Sequence, residues 1–382
     1  MKTELELYLH IPFCIRKCAY CDFFSSAGNG QEIERYVKAL LREIDSCREM
    51  AEAYLVTTVF LGGGTPSLLS GDQAGRIFAA LNDTFDIADD AEITMEMNPG
   101  TVTEEKLKAY RQSGVNRLSI GLQSVHDGEL QMLGRVHTWA DFLHTWDLTE
   151  KTGFRNRNID LISALPGQSV KIWEDTLRTV IKLKPEHISA YSLILEEGTP
   201  MYENQGQFPA LPDEDEEYRM GERTIDLLEQ AGYRRYEISN YAREGFACRH
   251  NLGYWERKNY LGIGAGASSL IGSVRFDHVR DRELYIRQTE TGETLAVDQR
   301  TLSMQEQMEE FMFLGLRRTA GVSERRFAQC FGVEIEEVYG AVIRKLAGQG
   351  LLVREEGMLR LTHRGLDVSN YAMAEFLFPE EN

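Results

Sequence analysis

Three cysteines fall within eight residues as Cys14-x3-Cys18-x2-Cys21, directly after an apolar run at Leu5–His10. Three thiolates this close can wrap one face of a cubane 4Fe-4S cluster and leave the fourth iron without a protein ligand. That open iron can be chelated by the amino and carboxylate groups of S-adenosylmethionine (SAM). An electron from the cluster then cleaves the sulfonium bond, giving methionine and a 5′-deoxyadenosyl radical. The competing reading is a tetrahedral zinc site with His10 or Cys47 as fourth ligand. Zinc sites usually combine two cysteine pairs, and the second pair is missing from this chain. The position of the loop, after the first strand of a strand–helix series, favours the cluster.

A second signature lies at Gly62-Gly63-Gly64-Thr65-Pro66, which follows the run Val59–Leu61. Residues without side chains let backbone amides and carbonyls approach a ligand closely. The segment lacks the Gly-Lys-Ser/Thr of a P-loop and the Gly-x-Gly-x-x-Gly of a dinucleotide site. Beside a cysteine loop it reads as a site for the amino group of SAM. A further run, Gly262-Ile-Gly264-Ala-Gly266, reads as a tight turn. Polar residues also stand at strand ends: Glu96 before Asn98-Pro99, Gln123, Arg135 in LGRVH, and Asp160 within NIDLISALPG. An ionised Asp in an apolar strand is costly unless paired or facing a cleft. Singly, each reads equally well as an ion pair or a cap. Together they face one end of the fold, where a zwitterionic, hydroxylated ligand would sit.

The elements that must hold these residues alternate. Short strands are predicted at Leu5–His10, Val56–Leu61, Ala91–Met97, Arg117–Gly121, Asn156–Ile162, His187–Leu193 and Tyr236–Ile238. Helices are predicted at Glu32–Glu52, Asp72–Asn82, Glu104–Ser113, Ala140–Thr152, Ser169–Leu183 and Glu214–Ala231. Thr103 reads as an N-cap and Gly114 as a C-cap glycine. Repeated strand–helix units imply parallel strands with right-handed crossovers. The units are too few for a closed eight-fold barrel, so the fold class is α/β, a partial (β/α)6 barrel with its chemistry at the C-terminal ends of the strands. The periodicity weakens from Asn240 to about Gln299. Beyond it, helices at Gln305–Arg318, after Ser323 and at Glu334–Gly348, and a hairpin turning at Glu355-Glu356-Gly357, suggest a small winged-helix-like C-terminal domain. The expected divisions are therefore 1–239, 240–299 and 300–382.

Charge bounds the partners. The chain of 382 residues carries a formal net charge of −18, from 60 acidic and 42 basic residues, and has no local basic patch. Such a field disfavours nucleic acid and anionic lipid. Residues 301–382 hold 13 acidic against 9 basic residues, which favours packing or substrate covering over DNA binding for the winged-helix-like unit. The acidic run 213–217 reads as a solvated helix start. No run of about 18 apolar residues is present, so no transmembrane segment is expected. An acidic N-terminus without signal-peptide character points to a cytoplasmic protein.

The strings LYLHIPFCIRKCAYCDF, FLGGGTPSLL, ITMEMNPGT, GVNRLSIGLQS, LGRVH, NIDLISALPGQ and RHNLGYW resemble the HemN/HemW branch of the radical SAM superfamily, over about Leu5 to Leu361. The resemblance implies that Cys14, Cys18 and Cys21 ligate the cluster and that Tyr8, Gly63 and Glu96 contact the SAM bound to it. Gly64, Thr65, Gln123, Arg135 and Asp160 match positions lining a second SAM site in the dehydrogenase branch. It also implies a HemN-type C-terminal domain and an electron donor for the cluster. Within the branch, coproporphyrinogen III dehydrogenases carry a fourth cysteine two residues past the third, where this chain has Phe23, and a longer N-terminal extension than the 13 residues ahead of Cys14. Both departures argue against porphyrinogen decarboxylation, which is the competing enzymatic reading. His250-Asn251-x-x-Tyr254-Trp255 matches the HNxxYW motif of HemW-type heme chaperones. By that match His250 is an axial ligand for heme, with Asn251, Tyr254 and Trp255 beside it. Cys248 is a weaker candidate for heme attachment. The implied function is heme binding and delivery to apoproteins, those of the respiratory chain among them.

Overall fold

The computed structural model describes residues 2–378, so the last expected boundary, at Asn382, lies outside the described residues. Six parallel strands form its centre: β1 (Thr3–Ile11), β2 (Tyr54–Gly63), β3 (Asp86–Met97), β4 (Arg117–Gln123), β5 (Arg157–Ser163) and β6 (His187–Ser192). The helices that return the chain are α1 (Gly30–Ser46), α2 (Gly71–Thr84), α3 (Glu104–Gln112), α4 (Asp127–Met132), α5 (Trp139–Lys151) and α6 (Val170–Lys182). After β6 comes α7 (Glu214–Gln230), which Asp213 caps by accepting from the Glu216 amide, so the acidic run is a helix start. Thr103 caps α3 and Gly114 follows it at φ 109°, as read from the sequence. The long first helix breaks at Cys47, and a separate turn covers Arg48–Ala51.

The sheet is larger than the sequence indicated. It holds twelve strands and stays open at both edges. Beyond β6 lie β7 (Arg234–Arg235) and β8 (Asn240–Ala242), both antiparallel to their neighbours. The expected strand at Tyr236–Ile238 is instead the irregular link between them, where Arg235 donates from its guanidinium to the Ile238 carbonyl. The weakly periodic stretch 240–299 contributes β8, then α8 (Arg249–Trp255), β9 (Tyr260–Ile263), β10 (Ser268–Ile271), β11 (Val274–His278), α9 (Arg282–Thr291) and β12 (Ala296–Thr301, ending just beyond it). β9 pairs in parallel with β1, and β10 to β12 continue the sheet as an antiparallel meander. The glycine run 262–266 is a turn only in part: Gly262 lies within β9, paired with Tyr8, and the β9–β10 turn follows with Gly264 at φ 108° and Gly266 at φ 73°.

Alternation along the central strands sorts the residues into two faces. Leu5, Leu7, Leu9, Val59 and Leu61 are buried in the core under the helices. The intervening positions pair across the other face: Glu6 with Thr58, Tyr8 with Phe60, Ser119 with Asn158, Asp160 with Ser189. The concave interior is therefore lined with carboxylates, amides, hydroxyls and imidazoles rather than branched apolar side chains, and it must hold polar partners.

The C-terminal unit has its own core around Phe311, Phe327, Leu346, Leu359 and Phe376. It comprises α10 (Met304–Gly315), β13 (Val322–Ser323), α11 (Glu324–Phe331), α12 (Ile335–Gly348), β14 (Leu352–Glu355) and β15 (Met358–Leu361). The last two form the expected hairpin, with Glu356 at φ 51° and Gly357 at φ 75° matching a type I′ turn. Glu310 receives both Arg257 at 2.9 Å and Arg275 at 2.6 Å, tying the unit to the barrel.

Candidate functional site

The cysteine loop is held from both sides. On entry, the Gly64 amide donates to the Ile11 carbonyl (2.9 Å) and the Thr65 amide to the Phe13 carbonyl (2.7 Å). A Cβ on Gly64 would overlap those same backbone atoms, so the glycine serves the approach of the loop itself. His10 fixes the loop's far end by bonding the Phe24 carbonyl from Nε2 at 2.7 Å. A carbonyl only accepts, so Nε2 carries the proton and Nδ1 accepts from the Tyr8 hydroxyl at 3.0 Å. Across the barrel, the Ala19 amide donates to the Leu133 carbonyl, Arg16 donates to the Gly134 carbonyl, and the Met201 amide donates to the Ala19 carbonyl. The loop is thus tied to the segments that follow β4 and β6. Neither expected fourth zinc ligand is available: both His10 nitrogens are engaged, and the Cys47 thiol donates to the Glu43 carbonyl with burial pushing it up to about 12.

The thiols of Cys14, Cys18 and Cys21 are free, half-buried, and border one cavity of 360 Å³ at the C-terminal end of the strands. Burial pushes the Cys21 thiol up to about 11, so a bound cation is what would hold it as thiolate. The same cavity is lined by Glu96, Gln123, Arg135 and Asp160 and by Gly63 and Gly64. Glu96 accepts from the Gly63 amide at 3.2 Å; burial, then the nearby Asp160, push its carboxyl up to about 8. Asp160 accepts from Asn158 (2.7 Å) and Ser119 (3.0 Å), and its pKa is raised by burial despite them. Gln123 reaches the cavity because the β4–β5 register shifts between Gly121 and Gln123 and its own φ is 74°, a backbone state uncommon outside glycine.

Arg135 donates from Nη2 to the Asn98 side chain and the Gly121 carbonyl, both at 2.6 Å, and from Nη1 to Cys18 Sγ at 3.5 Å. Its Nε is buried without a partner. Three thiols outside any disulfide, an unpartnered guanidinium donor and two half-buried carboxyls offer groups for iron, for a carboxylate and for an amino group. The residues fit a 4Fe-4S cluster with SAM. They fit a single zinc ion less well. Sulfurs around zinc stand about 3.8 Å apart, from bonds of about 2.3 Å. Among the described residues, the one trio of His, Cys, Asp or Glu with ligand atoms mutually within 4.8 Å is Glu222, His363 and Asp367, away from the loop.

Two expected SAM contacts stand behind the wall. Tyr8 stacks on Phe60 and spends its hydroxyl on His10. Thr65 is buried, donating to Cys14 Sγ (3.5 Å) and accepting from Asn98 (2.9 Å). Asn98 and His10 are positioning residues, a role the sequence assigns to neither, since His10 enters there only as a candidate zinc ligand. Asn98 was visible only as the residue before a proline, and the His10 link depends on a contact 14 residues away.

The HNxxYW segment lies elsewhere. It forms α8, at the N-terminal end of the strands, and closes the floor of the barrel. Glu92 of β3 accepts from the Arg249 and His250 amides and from the Cys248 thiol, satisfying the start of a helix that has no side-chain cap. His250 is 1% exposed; Nδ1 bonds Thr58 (2.7 Å), Nε2 bonds Tyr254 (3.1 Å), and the ring stacks on Phe60. Burial, then Arg117, hold it neutral with a pKa of about 3. Both nitrogens are occupied, so the expected axial ligand offers no lone pair to a metal in this arrangement. Cys248 is fully buried. Trp255 faces the other way, under the Arg317 guanidinium at 4.6 Å. Asn251 is half-buried on the same helix.

Residues 8–180 match the Radical SAM superfamily and 302–368 match the HemN C-terminal domain. In fold the chain is similar to coproporphyrinogen III oxidase (HemN) of Escherichia coli, a radical SAM enzyme, with a TM-score of 0.86 over 98% of this chain and 90% of that one, at 23% identity. The protein named heme chaperone HemW in Bacillus subtilis is 37% identical over 97% of this chain and 98% of its own. The Lactococcus lactis protein of that name is 36% identical over 98% of both. The Escherichia coli one is 42% identical over 71% of both. The cysteine loop, the polar strand ends, the C-terminal unit and these near full-length likenesses have one reading: the chain belongs to the HemW-type heme chaperone family of the radical SAM superfamily.

Proposed function

We propose that this protein binds heme and passes it to heme-dependent apoproteins, while Cys14, Cys18 and Cys21 hold a 4Fe-4S cluster and SAM occupies the cavity beside it. The observation that carries the cofactor part is the convergence of three free thiols and the polar groups Glu96, Arg135 and Asp160 on one cavity. The heme part is supported by the relatives named heme chaperone HemW. A cluster with an open iron would supply one electron to SAM. The chain's own residues do the positioning. Glu96, anchored on the Gly63 amide, offers an acceptor for an amino group. The unpartnered Nε of Arg135 offers a donor for a carboxylate. Asp160 and Gln123 suit hydroxyls or a second SAM. Phe23, in place of a fourth cysteine, leaves the loop with three ligands and speaks against porphyrinogen oxidation.

Anaerobic reconstitution with iron and sulfide, followed by SAM and hemin titrations on one sample, tests the proposal. We expect about four irons and four sulfides per chain, tight SAM binding, and a shifted Soret band. Iron incorporation that survives loss of all three cysteines would overturn the cluster assignment. Anaerobic conversion of coproporphyrinogen III propionates to vinyl groups would overturn the chaperone reading.

A further inference from the structure

If heme binds, the floor motif is a poor place for it, since His250 is 1% exposed with both nitrogens hydrogen-bonded. The mouth of the cavity is different. Phe23 and Ile194 are 62% and 69% exposed, and both line the opening. They stand on the segments after β1 and after β6, the first and last of the six central strands, and both border the same cavity. Exposed apolar side chains that share one cavity are candidates for a ligand groove, whereas singly scattered ones need no explanation. Two cations, Arg16 and Lys17, share the rim. Arg16 spends Nε and Nη2 on backbone carbonyls, and Lys17 enters no ion pair among the described residues. Asp22 and Glu196 are the acids of the same rim, and they fix the edge that an anionic group must avoid.

Resting on the heme reading above, we propose that the macrocycle docks across this mouth. Its faces lie against Phe23 and Ile194, and its propionates point toward Arg16 and Lys17. A flat apolar ring with two carboxylates at one edge calls for apolar contacts and cations, and this cavity lining supplies both in Phe23, Ile194, Arg16 and Lys17. Heme would then stand directly over the cluster cavity, and the His250 segment would act only as the floor.

The test is a hemin titration of the cluster-reconstituted, SAM-loaded protein, read from the Soret band, in wild type, F23E/I194E, K17Q and H250Q. Phe23 and Ile194 are exposed, so the melting temperature of the double variant serves as the control for folding, and its iron and SAM content are measured on the same sample so that hemin affinities are compared at equal loading. We expect at least tenfold weaker hemin binding for F23E/I194E. For K17Q we expect severalfold weaker binding with a shallower salt dependence. H250Q, once shown to be folded, should bind within twofold of wild type. Wild-type affinity in F23E/I194E with loss in H250Q would overturn the mouth site and leave the heme reading standing. Wild-type affinity in F23E/I194E, together with loss of capture of an acceptor protein, would assign the patch to that protein instead and also overturn it. No Soret change in wild type would remove the heme reading itself, and the mouth site with it.

Discussion

The two ends of the barrel interior are built from the same side chains and do opposite things. At the floor, Cys248, Glu92, His250, Thr58 and Tyr254 bond one another beneath α8. At the mouth, three thiols outside any disulfide border the cavity and Arg135 keeps an unpartnered Nε. A cysteine, a histidine or a glutamate is therefore no guide to chemistry by type alone. What separates the ends is access: the floor groups lie buried behind α8, whereas the mouth groups line one cavity.

That contrast can be broken or sharpened by mutation. The largest effect is expected from Cys18→Ala: iron content after reconstitution should fall to background, while the urea midpoint stays near wild type because the thiol is half-buried and free. At the floor the pattern should reverse. A Cβ on Gly253 would overlap the Glu6 carboxylate, so Gly253→Ala should destabilise by about 3 kcal/mol. His250→Ala, which strips partners from Thr58 and Tyr254 and opens a cavity, should lose about 2–4 kcal/mol. In both variants, whatever folds should still take up iron.

Glu96→Gln should weaken SAM binding about tenfold, or about 1.4 kcal/mol, measured by calorimetry. It should not lower the melting temperature at pH 7, because burial already disfavours the ionised carboxyl, whose pKa is about 8.

The smallest effect concerns Glu6, 1% exposed, with neither carboxyl oxygen hydrogen-bonded and its pKa raised to about 9, chiefly by burial. Between pH 4.5 and 9 the unfolded chain ionises this group and the folded chain does not, so rising pH favours unfolding across that window. Glu6→Gln removes the penalty, and its melting temperature relative to wild type should climb by a few degrees from pH 5 to pH 9. His250 acts in the opposite sense: neutral when folded, it costs stability as pH falls from 6.5 toward 3. A flat difference curve for Glu6→Gln would mean that water reaches the floor.

Much of the centre was legible because it rests on local signals. Apolar runs of four to eight residues gave the six central strands, and the cysteine spacing gave the loop. Strands β9 to β12 were not legible: they are short, glycine-rich or exposed, and their pairing partners lie in the sheet rather than in their own periodicity. The eight expected SAM residues show the same division. Six line the cavity, but Tyr8 and Thr65 are turned to support roles by His10 and Asn98, contacts that spacing cannot reveal. HNxxYW is the plainest case. The string displays a histidine among aromatics, and only the position of Thr58 and the helical turn that brings Tyr254 to Nε2 show that the imidazole is already bonded.

Helix α8 also works as a pin. His250 and Tyr254 are sunk into the barrel, while Trp255 on the same seven-residue helix lies under Arg317 of the C-terminal unit. Neither body can let go of this helix without disturbing the other. The two cores should therefore share one cooperative melting transition, and the C-terminal unit expressed alone should lack a partner it needs to stay folded.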